Sequence, residues 1–428
     1  MTLANEAPTT AEDVLRDVRI IDCDAHFTEP AELWTSRAPK EFVDRMPILR
    51  TIDGITAWYI EGELWASIGG NTIQTGPDGH ARKVLGSHVV QPYELIDKSA
   101  FAVKERLDLL DEIGVYAQVV YPNGIGFASN HIFAIEDLEL RTVILQIYND
   151  FLIDVQKESG GRLLPQGMLP VWDIDLTARE IERLSDQGMT GFTLSDKPEM
   201  IGLPELWEDY WDPMWQLLND RELVANFHIG AGARKEELEA IRNARNQPRA
   251  TQRLSGSAVS PTWSEFGHQR RLAAFSTQMY MSNLRIMVNM CMSNLFDRFP
   301  KLKVVSAESG IGWIPFMLEA LEFQFDEMVT EDDELQHANK RPSEYFREHI
   351  YVMFWFEKAG PERLIDAIGS HNVLVETDIP HPTCLYPNPK EHFIRVLSGL
   401  DPETIKRVLQ DNAVELYKIK LPAVQPAG

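Results

Sequence analysis

Long apolar runs are missing from this 428-residue chain. Nothing approaches the roughly 18 consecutive apolar residues of a membrane span, so no membrane is expected as a partner. Cysteine is scarce: Cys23, Cys291 and Cys384 are the three, and they form neither a CxxC pair nor an even-numbered disulfide framework. That usage fits a reducing cytoplasm. The opening residues MTLANEAPTTAEDVL lack the basic flank and apolar core of a secretion signal, and residues 1–17 read as a polar tail. Positive charge is also short, 41 Lys and Arg against 65 Asp and Glu for a net charge of −24. Such a surface argues against nucleic acid and against an anionic bilayer. No GxGxxG follows the first apolar run and no GxSxG occurs, which removes the dinucleotide fingerprint and the nucleophile elbow.

What the chain does have is repetition. Eight β-rich runs alternate with helical stretches: residues 18–24, 115–122, 162–171, 189–196, 223–230, 302–310, 349–356 and 372–380. Helical periodicity marks LELRTVILQIYNDFLIDVQKE and DLTAREIERLSDQG, the latter closed by Gly188. Strand and helix repeated eight times predict a distorted (β/α)8 barrel of the α/β class. A single domain over 18–417 is expected, followed by a tail at 418–428. Two regions break the repeat: a long insertion after strand one, about 31–99, and a lid-like loop after strand five, about 231–266. Both would lie over the same end of the barrel.

Polar residues recur at the ends of the predicted strands. Asp24 and His26 follow strand one, His228 strand five, Glu308 strand six and Asp378 strand eight. In a barrel these ends converge at the carboxyl face, so the five residues read as metal ligands. Side chains at i and i+2 share one face of a strand, which lets Asp24 and His26 reach one ion. The same alternation puts Asp22 below them, as acceptor for an imidazole N–H, and sends Cys23 to the outer layer.

Together, DCDAHFTEP, NFHIG, DRFPKLKVVSAESGIGWIPF and VLVETDIPHP resemble the amidohydrolase superfamily. The likeness is to the branch that holds aminocarboxymuconate-semialdehyde and aromatic-acid decarboxylases, and it runs from about Val18 to Tyr417. The resemblance implies a metal in a barrel, with Asp24 and His26 at the strand-one ligand positions, His228 at strand five and Asp378 at strand eight. His381, just beyond that aspartate, would orient it or the substrate. Decarboxylases of this branch carry a histidine at the end of strand six, where this chain has Glu308. A glutamate lacks the near-neutral pKa of an imidazole.

The expected cofactor is therefore a divalent ion, Zn, Mn or Fe, with Glu308 either a base beside one ion or a ligand between two. Lys197, which follows strand four, is a weak candidate for a metal-bridging lysine. The leading expectation is a metal-bound water that hydrolyses a hydrophobic or aromatic organic acid, with Asp378 and Glu308 moving protons and His381 assisting. Decarboxylation ranks below it because of Glu308. The alternative is an oxygen-dependent hydroxylase with two irons, motivated by the carboxylate-rich ligand set. Trp263 and His268 after strand five, Trp313 after strand six, and Phe354 and Trp355 at the end of strand seven are the expected substrate contacts. The partner would be a small molecule; barrels of this branch often pair, which leaves a homodimer open.

Overall fold

Every residue of Ile20–Phe27 (β1) is buried, as a strand covered on both faces requires. The computed structural model describes residues 17–52, 55–86, 92–128, 130–231 and 268–422. After β1 come a three-stranded antiparallel meander, Ile48–Ile52 (β2), Ile55–Ile60 (β3) and Glu63–Ser67 (β4), and a hairpin, Ile73–Thr75 (β5) and Ala81–Lys83 (β6). The remaining strands are Val115–Pro122 (β7), Leu163–Pro165 (β8), Gly167–Met168 (β9), Gly191–Thr193 (β10), Val224–His228 (β11), Lys303–Ala307 (β12), Ile350–Phe354 (β13) and Val373–Val375 (β14).

The large sheet runs β8-β7-β1-β14-β13-β12-β11-β10-β9, and its pairings are all parallel. Its two edge strands are halves of one strand, parted by Gln166 alone. The sheet therefore closes on itself as an eight-stranded barrel, as the repeat predicted. The helix over Leu138–Glu158 forms as expected, its amino end capped by the Asp137 carboxylate, which accepts from the N–H groups of Glu139 and Leu140. Gly188 takes up the positive φ of 96° that turns the chain towards β10.

Two apolar layers result. Inside the barrel, Ile21, Cys23, Val119, Tyr121, Leu164, Val305, Ala307, Met353 and Leu374 pack together with Leu416, Tyr417 and Ile419 from the carboxyl end of the chain. Outside it, Ile20, Val304, Val352, Phe354 and Val375 meet the helices. Cys23 thus faces the interior rather than the outer layer. The reason is a register shift between Asp22 and Ala25 in the pairing of β1 with β7; a bulge breaks the strict alternation on which the sequence argument relied.

The insertion is built and anchored. Thr72 N–H donates to Pro380 O at 2.8 Å, Tyr386 Oη donates to Ala81 O at 3.0 Å, and Lys83 Nζ donates to Cys384 O. These bonds seat the hairpin on the loop that leaves β14, at the carboxyl end of the barrel. Residues 232–267, with most of the lid-like loop, lie outside the described residues, as do the tail residues 1–16 and 423–428.

Candidate metal centre

At the end of β1, Asp24 and His26 turn into the barrel mouth with no exposed surface. His26 Nδ1 faces the carbonyl oxygen of Pro122 at 2.8 Å, and His228 Nδ1 faces that of Ile229 at 2.7 Å. A carbonyl only accepts, so each Nδ1 carries the proton and each Nε2 points its lone pair inwards. There His228 Nε2 stands 3.2 Å from Asp24 Oδ2 and 3.6 Å from Glu308 Oε2. His26 Nε2 stands 3.5 Å from Asp24 Oδ1 and 3.6 Å from Asp378 Oδ1.

Asp378 leaves β14 in a left-handed conformation, φ 58°, and Glu308 leaves β12 in another, φ 53°. Both are unusual for residues with a Cβ, and such backbone strain gathers at functional sites. His381 Nδ1 lies 2.8 Å from Asp378 Oδ1, its Nε2 lies 3.2 Å from Asn123 Oδ1, and its ring stacks on His26 at 3.7 Å. Thr383 Oγ1 donates to Asp378 Oδ2 at 2.8 Å. The insertion completes this wall. Gly70 N–H donates to Asn123 Oδ1 at 3.1 Å, and a Cβ on Gly69 would stand 1.9 Å from that oxygen.

Burial governs the electrostatics. It raises the Asp24 carboxyl above its ordinary range against the pull of His228. It holds His26 well below the usual imidazole value, aided by His381 and His228. Burial pulls His228 down as well, but its contacts with Asp24, the Ile229 carbonyl and the Asp378 charge together outweigh it and raise the imidazole. Burial, then the charges of Asp378 and Asp24, push Glu308 well up.

Asp22 does not act as predicted. With both Nδ1 protons on backbone carbonyls, no imidazole N–H reaches it. Its carboxylate faces away from the mouth and accepts from Thr377 N–H at 2.8 Å, Gln118 Nε2 at 2.7 Å, Thr377 Oγ1 at 2.5 Å and Asp24 N–H at 3.2 Å. Gln118 is held in turn by the buried Arg106, which also donates to His26 O. Asp22 therefore fastens β1 to the start of the Asp378 loop.

The expected substrate contacts are placed elsewhere or lie outside what is described. Phe354 faces the outer layer, where it meets Phe393 at 6.1 Å. Trp313 donates to Ser309 O and packs against the same layer. Trp355 is buried behind Tyr280, edge to face at 5.1 Å. Trp263 and the side chain of His268 lie outside the described residues. Lys197 pairs with Asp196 at 3.6 Å rather than joining the centre. Phe127 was not anticipated, yet its ring lies 4.1 Å from that of His228 and 5.0 Å from that of His26. Glu376 was also missed. It is fully buried, one oxygen accepting from Glu308 N–H at 3.1 Å, and its place two residues before Asp378 in the run 372–380 expected to be a strand was the available signal.

Both oxygens of Asp24, His26 Nε2, His228 Nε2 and Asp378 Oδ1 are buried without a hydrogen-bond partner. His381 approaches Asp378 Oδ1 off the line of a hydrogen bond, so that lone pair stays free. Five buried acceptors left this way cost several kcal/mol each when charged, unless a cation sits among them. Nitrogen and oxygen ligands about 2.1 Å from an ion stand about 3.0 Å apart along an octahedral edge and about 3.4 Å along a tetrahedral one. The 3.2 and 3.5 Å separations of His228 and His26 from Asp24 lie near the tetrahedral value. The donor set of Asp24, His26 and His228 fits a divalent ion, with His26, Asp378 and His381 forming an overlapping group beside it and Glu308 at the edge.

Comparison with known proteins identifies the family and agrees with the barrel fold. The amidohydrolase family model matches residues 21–419. A gamma-resorcylate decarboxylase of Polaromonas sp. is 25% identical over 286 residues, 64% of this chain and 76% of that protein. An amidohydrolase structure from Mycobacterium avium subsp. paratuberculosis superposes with a TM-score of 0.63 at 18% identity, covering 96% of this chain and 99% of that one. A dihydroxybenzoic acid decarboxylase from Polaromonas sp., solved with manganese and 2-nitroresorcinol, gives 0.56 at 18% identity over 94% and 97% of the two chains. The family match runs almost from end to end of the barrel, and the protein belongs to the amidohydrolase family.

Proposed function

We propose that the chain is a metal-dependent carboxy-lyase that removes CO2 from a hydrophobic or aromatic carboxylic acid. The observation that carries it is the convergence of orphaned, buried lone pairs from β1, β11 and the β14 loop. Relatives that decarboxylate dihydroxybenzoates support this reaction over the hydrolysis that the sequence ranked first. A bound divalent ion would draw charge from a substrate carboxylate or hydroxyl oxygen. The chain's own residues do the rest. Phe127 offers an apolar face beside the two ligand imidazoles. Asp378 and His381 stand 2.8 Å apart at the mouth, the carboxyl turning a free oxygen to the ion and the imidazole carrying the proton. As the bond to the carboxylate carbon breaks, its electron pair stays on the substrate carbon, and that carbon takes the proton from this pair. Asn123, at 3.2 Å, fixes the far nitrogen of His381.

The test is CO2 release from a panel of hydroxylated benzoates by manganese-loaded protein in deuterated water. One deuterium entering at the vacated carbon is expected, with CO2 release lost in Asp378→Asn. Hydrolysis products without CO2 would overturn the reading.

One observation favours a second reading. Strand six contributes the carboxylate Glu308 where an imidazole is usual, and a carboxylate-rich set suits two irons and oxygen-dependent hydroxylation. Oxygen uptake by iron-loaded protein, with a hydroxylated product and no CO2, would select it.

A further inference from the structure

Tyr280 lies on the turn that follows the helix His268–Met279 and has no role in the centre described above. Its ring is fixed just past the end of β13, edge to face with Trp355 at 5.1 Å and 5.4 Å from Phe356. Its hydroxyl approaches the side chain of Thr383, and the charges that act on it are those of Glu308, Asp378 and Glu376. Thr383 Oγ1 in turn donates to Asp378 Oδ2 at 2.8 Å. Thr383 is exposed whereas Asp378 is fully buried. The phenol therefore stands on the rim where solvent meets the mouth, with its oxygen on the side of the carboxylates.

That rim poses an electrostatic difficulty for an organic acid. To reach the ion its carboxylate must pass Glu308 and Asp378, and no Lys or Arg among the described residues makes an ion pair with either; their partners are the imidazoles of His26, His228 and His381. A neutral O–H eases the approach of an anion without adding a cation that would repel the metal. Burial, then the charges of Glu308, Asp378 and Glu376, push the Tyr280 phenol above its ordinary range, so it keeps its proton and remains a donor. Thr383 has its one proton committed to Asp378, so it offers Tyr280 only a lone pair, which an incoming carboxylate outcompetes because a charged acceptor makes the stronger bond.

We propose that Tyr280 is a substrate-binding residue whose hydroxyl donates a hydrogen bond to the carboxylate of the incoming acid. This role rests on the carboxy-lyase reading and names the group that receives the part of the substrate to be lost. A carboxylate that leaves as CO2 sheds its charge on the way to the transition state, so a donor to it favours the bound acid over the transition state. Removing the donor should raise KM without lowering kcat.

The test compares manganese-loaded wild type with Tyr280→Phe by calorimetric titration and by CO2 release. The probes are 2,6-dihydroxybenzoate and other hydroxylated benzoates, each beside the phenol left when its carboxylate is removed. The variant keeps its ring against Trp355, and its metal content and thermal midpoint should match wild type. The acids are expected to bind the variant about 10- to 100-fold more weakly, the carboxylate-free phenols to bind both proteins equally, and KM to rise with kcat undiminished. Equal affinity of the two proteins for the acids overturns the proposal, as does equal weakening for acids and phenols, or a fall in kcat at unchanged KM. Wild type that binds the acids but releases no CO2 overturns the carboxy-lyase reading alone, since the ratio of acid to phenol affinity still decides the role of Tyr280. Wild type that binds none of the acids overturns both.

Discussion

Asp22 is buried, anionic in its bonding and remote from the open mouth, yet four donors converge on it. Replacing it by asparagine puts an N–H2 against donors, which leaves buried groups unsatisfied. Asp22→Asn is expected to lose about 2–4 kcal/mol by urea unfolding and, because Thr377 leads to Asp378, about 10- to 100-fold in metal affinity by titration. Unchanged stability would show that the four bonds contribute little. His228→Ala, by contrast, should fold as well as wild type in chelator and fail to retain the ion on desalting. The meeting of Asp24, His26 and His228 at one mouth was legible in the sequence, because polar residues at the ends of apolar runs converge at the carboxyl end of a barrel. Asp22 and Cys23 were misread since a bulge cannot be seen in a pattern of alternating letters. Phe127 and Glu376 were missed because their importance is spatial: one is defined by a ring contact, the other by a lone pair without a partner.

The insertion, the element that fitted the repeat least, sets the precision of the site. Gly69 has φ 77°, and a methyl group there would collide with Asn123, the partner of His381. Gly69→Ala should therefore lower kcat/KM by about 10- to 100-fold with metal content unchanged. Equal loss of the ion would place the defect in folding instead. Glu29 ties the strand-one exit to the loop after β7, accepting from the N–H groups of Asn123, Gly124 and Ile125. Burial pushes its carboxyl up to about 7 from an ordinary 4.5. A carboxyl that holds its proton more tightly folded than unfolded contributes stability while protonated, and that contribution fades as pH rises from 4.5 towards about 7. Asp22, also raised to about 7 by burial, acts in the same direction. Metal-free protein should thus be less stable at pH 7 than at pH 5, Glu29 accounting for up to about 3 kcal/mol, and Glu29→Gln should flatten the slope in denaturant titrations at the two pH values. The barrel strands could be located from sequence within a few residues, since parallel strands covered on both faces are apolar throughout. The docking of the hairpin on the β14 loop could not, because it depends on backbone bonds such as Thr72 to Pro380 that any sequence can make.

At the scale of the whole molecule, an acidic chain of net charge −24 closes a barrel around a mouth lined with carboxylates. No helix among the described residues is long and apolar enough to cross a membrane. The charge sets an expectation about metal removal. Chelation should lower the unfolding free energy by about 4 kcal/mol relative to protein held at a thousandfold excess over its dissociation constant, read from thermal or denaturant midpoints with and without Mn2+. A midpoint indifferent to the ion would mean that the carboxylates are neutralised by protons alone. The central claim, a divalent ion among Asp24, His26 and His228, is tested most directly by anomalous diffraction from crystals of the manganese-loaded protein. The account predicts a peak within bonding distance of His26 Nε2, His228 Nε2 and the Asp24 carboxylate; an empty mouth at saturating Mn2+, or a peak only elsewhere on the molecule, would contradict it.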